Sequence, residues 1–306
     1  MIPSINPSAQ LFLADLSRVQ SQIDTAERQV SSGLKISQPS DSPDQLEALM
    51  RVRADLDRNA QIGKNLIVVK SETDTAEKAL ETATQLLDRA TSLASEGANT
   101  TETAASRQSI AQEVTGILQE LVGLSQTAVQ GRYVFSGDQS QQPSYILDLN
   151  APTGVDRLLT PVATRQIQDA TGVTFTVART AQDIFDHRNP NDSVATDNVF
   201  AAVNSLRVSL QNNDQAGIAS ALTSLRTAND YMNTQLSFYG SVQSRIQDAT
   251  DFSTKYQVQL QTDLSQIQDA DVTQAALQLS QSSTQLNTAL SAEARMPRTS
   301  LFDFLG

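Results

Sequence analysis

Between Pro43 and Glu96 the chain contains no proline and a single glycine, Gly63. Leucine and valine residues recur through this stretch at intervals that place them on one face of a helix. At 1.5 Å per residue, about fifty helical residues span on the order of 80 Å. A small domain cannot enclose a helix of that length, so its apolar face has to be covered by other long helices. The stretch therefore predicts a long antiparallel helical bundle with the form of a rod.

The rest of the chain supplies partners for this helix. A second helix is predicted from about Thr103 to Val129, and the short loop before it makes it an antiparallel neighbour of the first. A short helix begins near Asp197, and a long one runs from about Gln215 to about Ile267. We therefore predict a mainly α fold in which both halves of the chain contribute to one bundle.

The segment from Arg132 to about Arg179 has a different pattern. Short runs of β-branched and aromatic residues are separated there by glycine, proline, asparagine and aspartate. The run from Val173 to Ala178 alternates as a half-buried strand does. We predict a small antiparallel β insert between the helical halves.

Both ends of the chain carry apolar residues whose spacing alternates between four and three, which is a coiled-coil seam. The N-terminal seam consists of Phe12, Leu16, Val19, Ile23, Ala26 and Val30. The C-terminal seam consists of Val272, Ala276, Leu279, Ser283, Leu286 and Leu290, and an apolar tail follows with Leu301, Phe302, Phe304 and Leu305.

Such seams need a partner helix, although each could also belong to an ordinary amphipathic helix lying on its own domain. The simplest arrangement pairs the two terminal helices with each other. The polar Ser283 interrupts the C-terminal seam, and glutamine, serine and threonine residues flank that seam. We therefore expect the two terminal helices to pair only weakly within a single copy of the chain. Several copies packing side by side would strengthen it, so we predict that the apolar residues of both seams and of the tail form an assembly interface.

Composition excludes several classes of function. The net charge of −12 argues against nucleic acid and anionic membranes as partners, since both need clustered basic residues. No run of apolar residues is long enough to span a bilayer, and the N-terminus lacks the pattern of a cleaved signal peptide. The absence of cysteine excludes disulfides, thiol nucleophiles and cysteine–metal sites.

No arrangement of residues indicates catalysis. His187 is the only histidine, lies in a loop-like context, and is predicted to be solvent-exposed. A general base would need a nucleophile and an orienting carboxylate nearby. The sequence contains no dinucleotide, phosphate or zinc motif, and Asn191–Asn198 lacks the glycine and terminal glutamate of a calcium loop. We expect no enzyme activity, no cofactor and no metal site.

Several segments together resemble the flagellin family. Ser31–Ser37 with the following Asp41–Pro43 is similar to the N-terminal signature of that family, and Ile267–Asp271 is similar to its C-terminal I-x-D-A-D element. Gly131–Gly137 and Arg107–Val114 resemble the members that join the hook to the filament. The signature positions are Ser31, Ser32, Gly33, Leu34, Ile36, Asp41, Gly131, Tyr133, Phe135, Gly137, Asp269 and Asp271. One departure is Phe238–Gly240, where the family usually has a V-G-A-R-like run.

The resemblance implies three domains. Residues 1–35 and 266–306 would form an inner coiled-coil domain, and 36–131 and 196–265 a helical-bundle domain. Residues 132–195 would form an outward-facing β domain.

The resemblance also implies a structural role at the hook–filament junction of the bacterial flagellum. The implied partners are hook-associated protein 1, flagellin, other copies of the chain, and an export chaperone that binds the C-terminal region. Family members leave the cell unfolded through the flagellar type III export apparatus. The alternatives are a flagellin-like filament subunit, a coiled-coil scaffold, a secreted adhesin with a helical stalk, and an enzyme or ligand-binding domain carried in the insert.

Overall fold

The computed structural model describes residues 7–295, with side chains from 10 to 294. Two compact units make up this range, one holding the residues up to Arg58 and from Gln257 onward, the other Asn59–Tyr256. The helices are α1 (Pro7–Ser32), α2 (Leu46–Gly97), α3 (Ala104–Ser125), α4 (Ala181–Phe185), α5 (Val199–Gln211), α6 (Gln215–Gln268) and α7 (Val272–Arg295). None of the helices in the described range is apolar over enough of its length to cross a bilayer.

The predicted long helices are confirmed. The second helix, α2, has 52 residues and α6 has 54. Helix α2 begins at Leu46 rather than at Pro43, because the intervening residues form a turn in which the Gln45 amide donates to the Ser42 carbonyl oxygen at 3.2 Å. Thr103 caps α3, its hydroxyl accepting the Ser106 amide at 3.1 Å.

Helices α2 and α6 run antiparallel through the second unit. Asn59 donates to the Ser253 carbonyl oxygen at 2.9 Å, and far along both helices Asn229 donates to the Asp88 carboxylate at 2.6 Å. The residue numbers thus rise in one helix as they fall in the other. Asn59 and Ser253 are both buried, and the Ser253 hydroxyl donates back to the Asn59 side-chain oxygen at 3.0 Å. A reciprocal buried pair of this kind fixes the register, since sliding either helix would leave polar groups unsatisfied.

The β insert is confirmed, but it is three separate hairpins instead of a single sheet. Strands β1 (Ala128–Val129) and β2 (Arg132–Tyr133) form the first, β3 (Tyr145–Leu147) and β4 (Val155–Arg157) the second, and β5 (Gln166–Gln168) and β6 (Thr174–Thr176) the third.

The second and third hairpins bury apolar side chains against the helices. Tyr145 and Val155 enter the main helical core, and Ile167 and Phe175 enter a second cluster with residues of α2 and α6. Strands of two or three residues present too little apolar area to form a core by themselves, which explains why no continuous sheet forms. The boundaries 132–195 of the insert domain stay a prediction.

Phe135 connects the insert to the helices. Its fully buried ring contacts Phe185 edge-on at 5.9 Å and Tyr239 at 6.4 Å. The Tyr239 hydroxyl accepts the Arg179 amide at 3.2 Å, and burial raises the pKa of this hydroxyl above its usual value. Tyr239 is part of the Phe238–Gly240 segment in which the sequence departs from the family pattern, so this departure provides an aromatic contact for the insert.

Phe135→Ala is expected to lower the free energy of unfolding of the second unit by about 3–5 kcal/mol, because it leaves a cavity among rings that cannot collapse. Urea denaturation of the full chain followed by circular dichroism measures the change. Val162→Ala serves as the control, since Val162 is 91% exposed and its loss should change stability by less than about 0.5 kcal/mol. Equal midpoints for the two variants would contradict the role of Phe135.

Candidate assembly surface

The first unit is built on the pairing of α1 with α7, the arrangement that the two terminal seams predict. From α1, Ile23 and Ala26 are buried, and the other predicted seam residues of this helix are half-buried. From α7, Ala275 and Ser282 are buried, and Leu279 and Leu286 are half-buried. The seam of α7 thus begins at Ala275 and continues at intervals of four and three.

Three predicted apolar residues of α7 lie outside this seam, as does Ser283, which is half-buried next to Ser282. Val272 is 45% exposed, Leu290 is 48% exposed, and Ala276 is also exposed. The sequence predicts these three residues to lie in the seam because their spacing fits a heptad. The small residues Ala275 and Ser282 face inward instead, since a small side chain lets two helices approach closely. Ala275 and Ser282 are seven residues apart, which is one heptad, and this spacing was the sequence signal that could have identified them as seam residues. Leu301, Phe302, Phe304 and Leu305 lie outside the described residues.

The signature segments of the two chain ends meet in what we call the clasp, residues 32–41 with 268–271. Leu34 and Asp269 form an antiparallel bridge. The Lys35 amide donates to the Gln268 carbonyl oxygen at 2.6 Å, and the Ala270 amide donates to the Gly33 carbonyl oxygen at 2.9 Å. Gly33 has a φ of +70°, a left-handed conformation that favours glycine at the end of a helix. The clasp thereby connects the end of α1 to the break between α6 and α7.

Two carboxylates of the signature hold the backbone of the clasp. The Asp41 carboxylate accepts the amides of Gln38 and Ser37 at 2.8 and 2.9 Å, as well as the Ser37 hydroxyl. These hydrogen bonds, the one from the Gln38 amide foremost, lower the pKa of Asp41 below 3.8. Asp271 accepts the Gln274 amide at 3.0 Å and so caps α7. Of the remaining signature residues of this segment, Ile36 is buried and Ser31 is exposed.

The signature residues of the middle segment lie in the second unit. Gln130 and Gly131 both have positive φ, as a two-residue type I′ turn requires, and they connect β1 to β2. Tyr133, in β2, donates its amide to the Ser140 carbonyl oxygen at 2.8 Å. Gly137 has a φ of +55°, and a Cβ there would lie 2.6 Å from the Ala163 carbonyl oxygen. Both glycines therefore adopt the left-handed backbone conformation that tight turns require.

The α1–α7 pair leaves much of its surface open. Leu11 and Leu13 of α1 and Leu277 of α7 are more than half exposed. On α1 the open surface includes charged groups, among them the Asp15–Arg18 pair at 3.2 Å. On α7 no charged residue occurs between Asp271 and Glu293. This surface can bury apolar and neutral polar area against other helices.

His187 lies between α4 and α5, in the loop context that the sequence predicts, but its side chain is only partly exposed and not free. Its side chain is 39% exposed, Nδ1 lies 2.7 Å from Asp197 Oδ1, and the ring stacks on Tyr231 at 4.7 Å. The histidine is therefore held by tertiary contacts rather than free in a loop. An orienting carboxylate is present, but no nucleophilic hydroxyl of the described residues hydrogen-bonds the ring. Likewise, residues 7–295 contain no group of three His, Cys, Asp or Glu placed to hold a metal.

Two models of protein families match this chain, one in its N-terminal half and one in its C-terminal part. Residues 4–140 match the family model of the bacterial flagellin N-terminal helical region, and residues 200–305 match that of the C-terminal helical region. Between them the two models span most of the sequence. No significant match occurs among curated protein sequences.

Solved structures share the fold. A Vibrio parahaemolyticus protein assigned as a flagellar hook-associated protein is 17% identical, covers 75% of this chain and 100% of its own, and gives a TM-score of 0.64. Hook-associated protein-3 from Legionella pneumophila is 12% identical. The match covers 71% of this chain and 98% of that protein, with a TM-score of 0.61. The flagellar junction protein FlgL from Legionella pneumophila is also 12% identical. The match covers 66% of this chain and 100% of that protein, with a TM-score of 0.53. The predicted mainly α architecture is confirmed by this likeness.

Asp41→Ala is expected to accelerate hydrogen exchange of the Ser37 and Gln38 amides, because it removes the acceptor of both. By analogy with helix caps, the local opening free energy should fall by about 1 kcal/mol. Asp44→Ala is the matched control, since it deletes a neighbouring carboxylate that these amides do not contact. In the unsubstituted chain the folded-state pKa of Asp41 is depressed, so its stabilising effect is present above pH 3.8 and is lost as the pH falls further. If the Ser37 and Gln38 amides exchange at an unchanged rate in Asp41→Ala, Asp41 is not the acceptor that holds them.

Proposed function

Because this chain belongs to the flagellin family, we propose that it is the junction subunit that joins the flagellar hook to the flagellin filament, the role of hook-associated protein 3. The observation that carries the proposal is the α1–α7 pair. The two family signature segments are joined beside this pair by a backbone bridge, and most of the surface of the pair is open to other molecules. The three hairpins of the insert, small compared with the helices, favour the junction role over that of a filament subunit. Fold likeness to a flagellar junction protein supports the same choice.

Assembly would proceed through the terminal helices. The exposed leucines of α1 and α7 gain about 25 cal/mol for each Å² of apolar surface removed from water. A single chain cannot cover these residues with its own seam, so neighbouring copies complete the burial. The interface would comprise the predicted seam residues together with Val272, Ala276, Leu290 and the apolar tail 301–305.

The partners on either side would be hook-associated protein 1 and flagellin. Residues 1–35 with 266–306 would form the inner layer, 36–131 with 196–265 the helical bundle around it, and 132–195 the outward-facing insert. The subunit would leave the cell unfolded through the type III export apparatus, with a chaperone at its C-terminal region. A chain without cysteine suits this route, since no wrong disulfide can trap it outside the cell.

Deletion of the gene tests the junction role. Cells lacking this subunit should carry hooks without filaments and release flagellin monomers into the medium, because the filament has nothing to grow from. Electron microscopy of the cells and immunoblotting of the medium measure the two effects. Loss of a filament subunit would instead leave no flagellin to release, and that result would overturn the proposal.

Ile23→Asp is expected to prevent assembly while the second unit remains folded. Ile23 is 7% exposed in the seam with α7, where an unpaired carboxylate costs several kcal/mol of desolvation. Sedimentation measures assembly, and circular dichroism measures the helix content of the monomer. Ser220→Asp adds the same charge to an exposed position of α6 and should assemble normally. Normal assembly of Ile23→Asp would exclude this seam from the interface.

A further inference from the structure

A pocket of about 260 Å³ lies within the second unit, where the insert meets α2 and α6. Three stretches of the insert line it together with these two helices, from within 132–140, 163–165 and 177–178. We call it the insert pocket. Protein interiors are packed as closely as organic crystals, so a gap of this size that the chain's own side chains leave open has room for another molecule. Its volume is near the lower end of the range for ligand pockets, which favours a small occupant.

The wall of the insert pocket is mainly apolar. It consists of Val69 from α2, Tyr239 from α6, and Val134, Val177 and Ala178 from the insert. Val69, Val177 and Tyr239 are buried, and the other two are half-buried. The Tyr239 hydroxyl is already engaged by a backbone amide, so its ring is what this residue offers to an occupant. The wall therefore suits the apolar body of a ligand.

Two exposed arginines lie at the rim of the insert pocket, and they differ in what they contact. The Arg165 guanidinium is paired with the Glu72 carboxylate of α2, which neutralises it. Arg132 has no ion-pair partner within residues 7–295, and its one hydrogen bond to the described residues runs from Nε to the Ser140 hydroxyl at 3.2 Å. The terminal nitrogens of Arg132 are therefore available to an anion.

Further donors line the same pocket. Tyr133 and Thr164 are half-buried there, and neither hydroxyl has a hydrogen-bond partner among the described residues. A hydroxyl group can donate to a carboxylate oxygen. The opposing group is the Asp138 carboxylate, whose Oδ1 already accepts the Val162 amide at 3.2 Å. One free guanidinium and two free hydroxyls thus face one partly occupied acceptor, which favours an anionic group over a cationic one.

We propose that the insert pocket binds a small aromatic carboxylate. The ring lies against the apolar wall, where the Tyr239 ring offers an aromatic contact, and the carboxylate is held by Arg132 at the rim. A guanidinium and a carboxylate can form two parallel hydrogen bonds, which makes this pairing selective for a planar anion. Because both the insert and α2 line the pocket, an occupant would hold the insert against the helix and stabilise the second unit.

Isothermal titration calorimetry of the full chain with phenylpropionate tests the proposal. A ligand of about eleven non-hydrogen atoms is expected to bind with a dissociation constant on the order of 1 mM or below. Phenylpropanamide is the matched ligand control, since it keeps the shape and removes the charge. It should bind about tenfold more weakly, because hydrogen bonds to a charged group are stronger than those to a neutral one.

Variants locate the binding site in the insert pocket. Arg132→Gln should weaken phenylpropionate binding about fivefold, and Asp138→Asn should strengthen it about twofold by removing the opposing charge. Ala178→Leu should weaken it at least about tenfold, because the larger side chain takes up space in the pocket. The matched control is Arg226→Gln, which removes an exposed arginine of α6 that does not line the pocket and should change binding by less than about twofold.

Three results would overturn the proposal. The first is the absence of any binding heat up to about 10 mM phenylpropionate. The second is equal binding by Arg132→Gln and Arg226→Gln, which would place the ligand elsewhere. The third is tighter binding of phenethylammonium than of phenylpropionate, which would mean that Asp138 sets the specificity. Circular dichroism confirms that the variants keep their helix content, and if Ala178→Leu unfolds, the variants of the exposed Arg132 and Asp138 decide. The junction role does not depend on these results.

Discussion

The first unit depends on the antiparallel bridge between Leu34 and Asp269. It joins residues that are far apart in sequence, and it does so where α1 has ended and α6 has broken. Gly33 permits the turn through its positive φ, and Asp41 and Asp271 hold the backbone on either side. Because the bridge sets the register of α1 against α7, it decides which side chains form the seam and which remain open to other copies.

Much of the architecture follows from the sequence because its causes are local. The absence of proline allows α2 and α6 to continue, and a threonine, asparagine or aspartate at a helix start satisfies backbone amides. The pairing of α1 with α7 was also predictable, since an apolar stripe needs a partner. The inward position of Ser282 was not, because the pattern of large apolar residues does not show which of two adjacent stripes faces the partner. Nor could the sequence show that Asp197 and Tyr231 hold His187, which depends on tertiary packing.

The two units differ in how far each buries apolar side chains within itself. The second unit buries aromatic rings such as Phe135 and Phe200 within its own core. On the α7 side, the seam of the first unit alternates the small residues Ala275 and Ser282 with the half-buried Leu279 and Leu286, so less apolar area stabilises the pair. This difference suits a subunit that folds its bundle alone and completes its terminal helices only in contact with other copies.

Hydrogen exchange followed by mass spectrometry shows whether contact between copies completes the terminal helices. Assembly should slow exchange strongly in residues 7–32 and 272–295 and much less in 59–256. Terminal helices completed by other copies are ruled out if α1 and α7 are already as protected in the monomer as α2 is, and if assembly adds protection only in the second unit.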